Sequence, residues 1–407
     1  MTGDSPRAVS RRGLLGGALG AAVTVPIAMQ AGDSAAAEAG PTSYPFEGTH
    51  QQGILTPAQE AACFVALDVV ATSRRQLADC LRTITELARF LTAGGIPTDS
   101  GLLAPASDSG ILGPKVPADG LTVTVGVGAS LFDARFGLHD RKPAHLRRMD
   151  EFPNDALDRS VCDGDLLIQV CAHHRDTVVH AVRQLLRETR GTLAVRWRRD
   201  GFMSPPRPNG TPRNLLGFKD GTANPPTSDD KLMDHLVWTS AGSGEPAWVD
   251  GGSYHVVRVI RMLVEFWDRI SVLEQQNIFG RDRDTGAPLT GTHEFDEPDY
   301  LNDSTGDVIP YDAHIRLANP RTKGTENQRI LRRSYNYDAG VRANGNLDMG
   351  LIFTCFNADL DRQFATIQKR LADESLGDYI SPFGGGYYFT LPGVTGPDDW
   401  LGRGMLT

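Results

Sequence analysis

Two short stretches of similar sequence, LIQVC at Leu167–Cys171 and LIFTC at Leu351–Cys355, decide the fold predicted for this chain. They agree at three of five positions, and each precedes a segment whose apolar residues recur at helical spacing. The strands and helices predicted around the two stretches also follow the same order. The repetition indicates that the chain contains one structural unit twice.

Each unit is predicted to run strand, helix, strand, strand, helix, strand. In the first unit, the strands are predicted at 63–70, 121–127, 165–171 and 192–197, and the helices at 73–91 and 177–188. In the second, the strands are predicted at 254–264, 330–337, 351–356 and 387–391, and the helices at 266–279 and 360–371. The order predicts an α+β protein of two ferredoxin-like domains, at 57–205 and 212–396, packed sheet to sheet. Such a layout leaves room for a flat ligand between one sheet and its helices.

The N-terminal 39 residues have the features of an export signal. SRRGLL at Ser10–Leu15 opens an uncharged stretch that is followed by small residues of the type that signal peptidases cut. The paired arginines resemble a twin-arginine signal, which predicts passage through that export machinery and an extracytoplasmic location. An uncleaved membrane anchor is the alternative, although the glycines make the stretch weakly hydrophobic. Residues 40–56 are predicted to be a linker.

Charge and cysteine content exclude several classes of function. The net charge of −9 gives the molecule as a whole no attraction for nucleic acid. Five cysteines without a CxxC pair indicate neither a disulfide framework nor a zinc site. His173, His174 and His180 could form a metal cluster, but no carboxylate stands at a recurring ligand spacing, which favours surface roles for them.

Three stretches of the second half contain the candidate site residues. In NLLGFKDGTANP at Asn214–Pro225, one aspartate, Asp220, lies between glycines; alone, the stretch is typical of a turn. In DAHIRLANPR at Asp312–Arg321, a short apolar segment contains one imidazole, His314. A lone histidine there is more often a hydrogen-bonded core residue than a metal ligand. The third stretch, ILRRSY at Ile330–Tyr335, has paired arginines.

Together with GGGYYFTLPG at Gly384–Gly393, these stretches closely resemble the dye-decolourising peroxidase family over residues 54–394. The resemblance is to its exported bacterial subgroup, which includes enzymes described as deferrochelatases. It implies the duplicated ferredoxin-like fold and one haem b per chain, bound between the sheet and the helices of the C-terminal half. It also implies hydrogen peroxide and an organic electron donor as substrates, and it leaves a homo-oligomer and an iron-uptake system as further partners to consider.

The resemblance assigns a role to each matching residue. His314 is implied as the axial ligand of the haem iron, Asp220 as the distal acid–base residue and Arg332 as the distal arginine. Gly221, Thr222, Ala223, Asn319 and Pro320 are implied to line the haem, and Arg316 and Arg321 to bind its propionates. Asp378 is implied as the hydrogen-bond acceptor of His314, with Glu374 as its rival. Ser334 departs from an asparagine found in some members, which puts the polarity of the peroxide pocket in doubt.

These roles imply a peroxidase mechanism with a ferryl intermediate. Peroxide must lose a proton from one oxygen and gain one on the other before the O–O bond breaks, and one carboxylate can do both. Because an aspartate ordinarily titrates near ~3.9 and a histidine near ~6.5, the use of Asp220 predicts an acidic optimum below about pH 6. Bulky donors would deliver electrons through surface aromatics, for which the five tryptophans and several tyrosines are candidates.

Two alternative functions use the same cavity. A haem-handling protein would release iron from haem and leave the porphyrin intact. A non-catalytic binding protein would hold another small molecule. Free protoporphyrin without added peroxide would indicate the first, and a failure to bind haem would indicate the second.

Overall fold

Nine strands of the described chain form one antiparallel sheet that closes on itself. The computed structural model describes residues 43–242 and 244–407. Its strands are β1 Ala61–Val69, β2 Thr122–Gly128, β3 Leu166–Ala172, β4 Leu193–Phe202, β5 Ser253–Met262, β6 Leu331–Arg332, β7 Tyr335–Val341, β8 Leu347–Asn357 and β9 Ile380–Thr390. The strand order is β5-β9-β2-β3-β1-β4-β7-β8-β6, and an additional β5–β8 pairing closes the ring.

Each half of this ring is a four-stranded ferredoxin-like sheet. The N-terminal half has the order β2-β3-β1-β4 and the C-terminal half β9-β5-β8-β7, which is the same arrangement of first, second, third and fourth strands. The inner faces pack against each other through side chains of both halves, among them Phe64, Tyr335 and Tyr388, all fully buried. The predicted duplicated α+β fold with sheet-to-sheet packing is therefore confirmed.

The two sheets also join at their edges, which the sequence pattern did not predict. At one edge β2 pairs with β9 over three residue pairs, and at the other β4 meets β7 through the single pair Phe202 and Asn336. Pairing at both edges leaves no long open edge strand between the halves. The described residues accordingly form one compact unit.

The helices cover the outer faces of the ring. They are α1 Arg74–Ala93, α2 Arg175–Glu188, α3 Asp230–Leu236, α4 Val264–Trp267, α5 Val272–Phe279, α6 His314–Ala318, α7 Thr366–Arg370 and α8 Arg403–Leu406. The long helix α1 begins where the Ser73 side chain accepts a hydrogen bond from the Gln76 amide, and it ends at Gly94, whose φ is +69°. Its apolar stripe is buried against the N-terminal sheet.

Two predicted elements of the C-terminal half are broken in the structure. The helix predicted at 266–279 is two helices, α4 and α5, and the helix predicted at 360–371 begins with a π-helical turn at Asp361–Ala365 before α7. The strand predicted at 330–337 is interrupted between β6 and β7. These interruptions lie in the half that contains the candidate site residues.

The predicted export signal lies outside the described residues. Within the described ranges, no helix combines the length and the apolarity needed to cross a bilayer.

Candidate functional site

A deep cavity lies between the C-terminal sheet and its helices. Its floor is formed by side chains of β5 and β8, such as Ile260 and Phe353, and its sides by α6, α7 and the loop that contains Asp220. The space between its walls, including the open mouth, amounts to about 1630 Å³. Asp220, His314 and Arg332 all line this cavity, so the structure brings the three predicted residues together.

The Asp220 loop owes its shape to short-range hydrogen bonds. The Asn214 side chain accepts hydrogen bonds from the amides of Leu216 and Phe218, and the Asp220 amide donates to the Pro212 carbonyl at 2.9 Å. Gly221 then takes a φ of +103°, a conformation that side-chain-bearing residues rarely adopt. The predicted turn is therefore present, and it directs the Asp220 side chain into the cavity.

A buried glutamate, Glu294, holds both sides of this loop. Its carboxylate accepts a hydrogen bond from the Lys219 ammonium at 2.6 Å and another from the Thr222 hydroxyl at 3.1 Å. It also accepts bonds from the amide and the hydroxyl of Thr211. Although burial opposes the charged form, the bonds from Lys219 and Thr211 keep the pKa of Glu294 below its ordinary value. Glu294 was not predicted from the sequence, because nothing in its neighbouring residues indicates the contact.

Arg332 is attached to the same loop. The Asn224 side chain donates to the Arg332 carbonyl at 2.7 Å and accepts from the Arg332 amide at 3.1 Å. The Arg332 guanidinium then donates to the Asp220 carboxylate at 2.9 Å. Strand β6 and the Asp220 loop thus place a permanently charged donor and a carboxylate side by side on one wall of the cavity.

His314, the first residue of α6, lies on another part of the wall and is hydrogen-bonded to Glu374. Its Nδ1 is 2.5 Å from a Glu374 carboxylate oxygen, and the Glu374 side chain is only 5% exposed. Burial lowers the pKa of His314, but the charge and the hydrogen bond of Glu374 outweigh it and raise that pKa above its ordinary value. With Nδ1 engaged, Nε2 is the ring nitrogen left for a ligand.

The expectation that Asp378 accepts this bond is wrong. Asp378 is exposed in the helical turn Ser375–Tyr379, whereas Glu374 immediately precedes that turn and is buried. The rival residue, Glu374, is the partner. Four positions separate the two acids, and the course of the chain at the end of the helical segment decides which of them faces inward.

Basic side chains outnumber acids around the cavity. Among the described residues that line it, the acids are Asp220 and Glu374 and the basic side chains are Lys219, Arg258, Arg281, Arg321, Arg329, Arg332 and Arg370. Burial lowers the pKa of Arg281 to about 10, and the Arg329 Nε is buried without a hydrogen-bond partner. Because Lys219, Arg258, Arg321 and Arg332 are already paired with carboxylates, a ligand that carries negative charge would compensate the others, Arg281, Arg329 and Arg370.

The predicted lining residues fall into two groups. Thr222, Ala223, Asn319 and Arg321 line the cavity. Arg321 adopts a φ of +55°, a strained conformation of the kind that occurs at functional sites. Gly221 instead lines a neighbouring cavity, and Pro320 lines neither of the two.

The expectation that Arg316 binds a propionate is contradicted. Its guanidinium turns away from the cavity, pairs with Asp303 at 3.1 Å and donates to the Ile309 carbonyl at 2.6 Å. It also lies over the rings of Tyr300 and Tyr311. Because residues two positions apart on a helix lie on nearly opposite sides, Arg316 and His314 project in different directions, and Arg316 fastens the preceding loop.

Neither the three histidines considered as a metal cluster nor the five cysteines are among the described residues that line the cavity. His173, His174 and His180 each bind a different carboxylate, from Glu60, Asp119 and Asp108 respectively. The expected surface role is wrong for His180, which is fully buried. All five cysteines are buried and unpaired.

The chemistry of the cavity suits a flat, largely apolar cofactor with acidic substituents and a metal. The apolar floor can contact a ring system, His314 can supply a neutral nitrogen ligand, and the unpaired arginine atoms can receive carboxylates. On the wall formed by Asp220 and Arg332, one group can exchange a proton and the other can stabilise negative charge.

Comparisons with known proteins identify the family. Residues 51–203 match the N-terminal domain model of Dyp-type peroxidases, and residues 211–395 match the C-terminal one. The chain is 51% identical to a deferrochelatase of Escherichia coli over 98% of this chain and 97% of that protein. It is 52% identical to one from Yersinia pestis over 89% of this chain and 84% of that protein.

Solved structures show the same likeness. A DyP-type peroxidase from Cellulomonas bogoriensis matches with a TM-score of 0.81 and 36% identity, over 91% of this chain and 99% of that one. Ferric DtpA from Streptomyces lividans matches with a TM-score of 0.81 and 33% identity, over 91% of this chain and all of that one. The chain thus belongs to the Dyp-type peroxidase family and is a haem-dependent peroxidase.

Proposed function

We propose that the chain binds one haem b in the cavity and reduces hydrogen peroxide with electrons from dyes, phenols or other organic donors. The observation that carries the proposal is the hydrogen-bonded pair of Asp220 and Arg332, 2.9 Å apart, in the same cavity as the His314–Glu374 pair. His314 would hold the iron through Nε2, and Arg329 and Arg321 would receive the propionates. When bound, haem supplies the metal at which the peroxide O–O bond is cleaved.

The protein residues supply proton transfer and charge stabilisation. Asp220 takes the proton from one peroxide oxygen and returns it to the other, while the Arg332 guanidinium stabilises negative charge on the departing oxygen. Glu374 accepts a hydrogen bond from the Nδ1–H of His314, which fixes the ring orientation and increases its basicity as a ligand. Glu294 binds residues on both sides of Asp220 and would keep its carboxylate in position for proton transfer.

Electrons from donors too large for the cavity have a route through aromatic side chains. The ring of Phe279 lies 6.0 Å from that of His314, Trp267 lies 5.8 Å from Phe279, and Tyr379 lies 5.2 Å from Trp267. Trp267 is buried and Tyr379 is partly exposed. The series supports oxidation of bulky donors at the surface near Tyr379.

Release of iron from haem is the second candidate function. The relatives named deferrochelatase, at 51–52% identity, favour it, and the same cavity would bind the haem. The export signal predicted from the paired arginines would place either activity outside the cytoplasm, where released iron could pass to an uptake system.

Product analysis distinguishes the two functions. Haem-loaded protein is incubated with peroxide and a dye, and separately with a reductant and no peroxide, and the porphyrin and iron are measured in both. Stoichiometric dye oxidation with intact haem supports the peroxidase. Free protoporphyrin and iron without peroxide support iron release instead.

A further inference from the structure

A second cavity adjoins the first at the wall formed by Asp220 and Arg332. Asn214, Asp220, Arg332 and Leu351 line both cavities, so a molecule in the second would lie next to the Asp220–Arg332 pair. The space between its walls, including the open mouth, amounts to about 1020 Å³, enough for a molecule with a single ring. Its remaining wall comes from the segment Ile54–Ala58, from residues around Arg213 and from residues around Arg333.

Arg333 lines this second cavity with an uncompensated charge. The residue is 6% exposed, and its guanidinium donates to the carbonyls of Thr56 and Pro57 and to the amide oxygen of Gln59, all uncharged. Its Nε is buried without a hydrogen-bond partner. A buried guanidinium without an anionic partner is unusual, because the interior does not replace the hydration of the charge.

Other groups of the wall add to this polarity. Asn336 is 3% exposed and keeps a buried amide oxygen without a partner. The Arg213 guanidinium is bound by backbone carbonyl oxygens, including those of Gly217 and Asp284. The one carboxylate among the described lining residues, Asp220, is already paired with Arg332. The cavity therefore has an excess of positive charge and one free acceptor.

Apolar side chains cover the rest of the wall. They include Ile54, Leu55, Met203 and Leu331. An apolar lining beside an unpaired guanidinium suits a small amphipathic anion, with a ring against the apolar side chains and a carboxylate against Arg333. The free Asn336 oxygen can accept a hydrogen bond from a hydroxyl group.

We propose that the second cavity binds a small aromatic carboxylate with a phenolic hydroxyl as a reducing substrate, with the carboxylate held by Arg333. The inference rests on the proposed peroxidase function for the fate of the substrate. Each donor molecule gives up one electron and its phenolic proton, and two donors reduce one hydrogen peroxide to two molecules of water. Large dyes are oxidised at the protein surface near Tyr379, whereas these small donors are oxidised while bound in the second cavity.

The binding experiment uses the haem-loaded enzyme without peroxide. Calorimetric titration with 4-hydroxybenzoate is compared with titration by the neutral analogue 4-hydroxybenzyl alcohol. Arg333→Gln removes the charge and Asn336→Asp adds an opposing one, so each is expected to weaken carboxylate binding at least tenfold and to change binding of the alcohol little. Arg199→Gln is the matched control, since Arg199 lies over the rings of Tyr337 and Phe383 and lines neither cavity.

Steady-state kinetics with peroxide and 4-hydroxybenzoate form the second part of the test. In both cavity variants the KM for 4-hydroxybenzoate should rise while the KM for peroxide stays the same, and Arg333→Lys should restore part of the affinity. Carboxylate binding that is absent from the wild type, or equal in Arg333→Gln and Arg199→Gln, would overturn the proposal. If the wild type oxidises no donor at all, the peroxidase function fails, and the titration still decides whether the anion site exists.

Discussion

The two halves of the molecule share one topology but differ in the helices that cover their sheets. In the N-terminal half, α1 and α2 are continuous helices of 20 and 14 residues whose apolar faces fill the space above the sheet. In the C-terminal half, α4, α5 and α7 have 4, 8 and 5 residues, and a π-helical turn precedes α7. The shorter helices leave the cavity open. The two halves thus share a topology, but one packs densely and the other contains a cavity.

Each half contains a histidine, His180 or His314, that contacts a carboxylate, but the two lie in different surroundings. In the N-terminal half, His180 on α2 is fully buried, 2.6 Å from the Asp108 carboxylate. In the C-terminal half, His314 contacts Glu374 at 2.5 Å through Nδ1 instead of Nε2, and it lines a cavity. A histidine–carboxylate pair therefore lies in the packed interior of one half and on the cavity wall of the other.

The largest expected effect follows from removing His314. In His314→Ala the cavity loses its ligand nitrogen, so titration with haem should no longer produce the absorption band of histidine-bound haem. His180→Gln, which changes the packed histidine, should bind haem as the wild type does. Equal haem spectra for His314→Ala and the wild type would contradict the contrast between the halves.

Neutralising Glu374 should have the next largest effect. Glu374→Gln preserves the size of the side chain but removes the charge that makes His314 more basic, so the reaction with peroxide should slow by about 10- to 100-fold. The reduction potential of the bound haem should also rise. Asp378→Asn is the control, since Asp378 is exposed; a larger loss in that variant would restore the original assignment.

The free energy of unfolding at acid pH should depend on His255, a buried histidine of the C-terminal sheet. This histidine of β5 is buried against Phe356, and burial lowers its pKa to about 3; no strand of the N-terminal half contains a histidine. Because the unfolded chain binds this proton near pH ~6.5, stability is complete above that pH and is lost as the pH falls toward about 3. At pH 5 the loss is about 2 kcal/mol.

The check is the free energy of unfolding in urea at pH 7 and pH 5. His255→Gln, which can retain a hydrogen bond to Thr354, should lose about 2 kcal/mol less between the two values than the wild type. Parallel losses in both proteins would show that His255 does not set the acid sensitivity.

The smallest effect is expected at Trp267. Trp267→Phe should slow the oxidation of bulky dyes by less than Glu374→Gln does, and it should leave the rate of reaction with peroxide unchanged. Trp238→Phe is the control, because Trp238 stacks on His50 and lines neither cavity. An unchanged dye rate in Trp267→Phe would exclude the aromatic route.

The sequence supported the fold better than the details of the site. Local periodicity predicted the order of elements, and the resemblance brought together Asp220, His314 and Arg332. Neither revealed the pairing of β2 with β9 or the break after Arg332, because edge pairing and interruptions depend on contacts distant in the sequence. The contacts of Glu294 and Asn224 were not predicted for the same reason. The resemblance implied Asp378 in place of Glu374, because the sequence does not show which of the two acids faces inward.

The reaction of haem-loaded protein with hydrogen peroxide tests the central claim most directly. Stopped-flow absorbance would be recorded for the wild type and for Asp220→Ala, with equal haem loading confirmed beforehand. If Asp220 transfers the proton, the variant should react about 100- to 10,000-fold more slowly. Equal rates would contradict the account, leave the Asp220 loop as scaffold and transfer the catalytic role to Arg332.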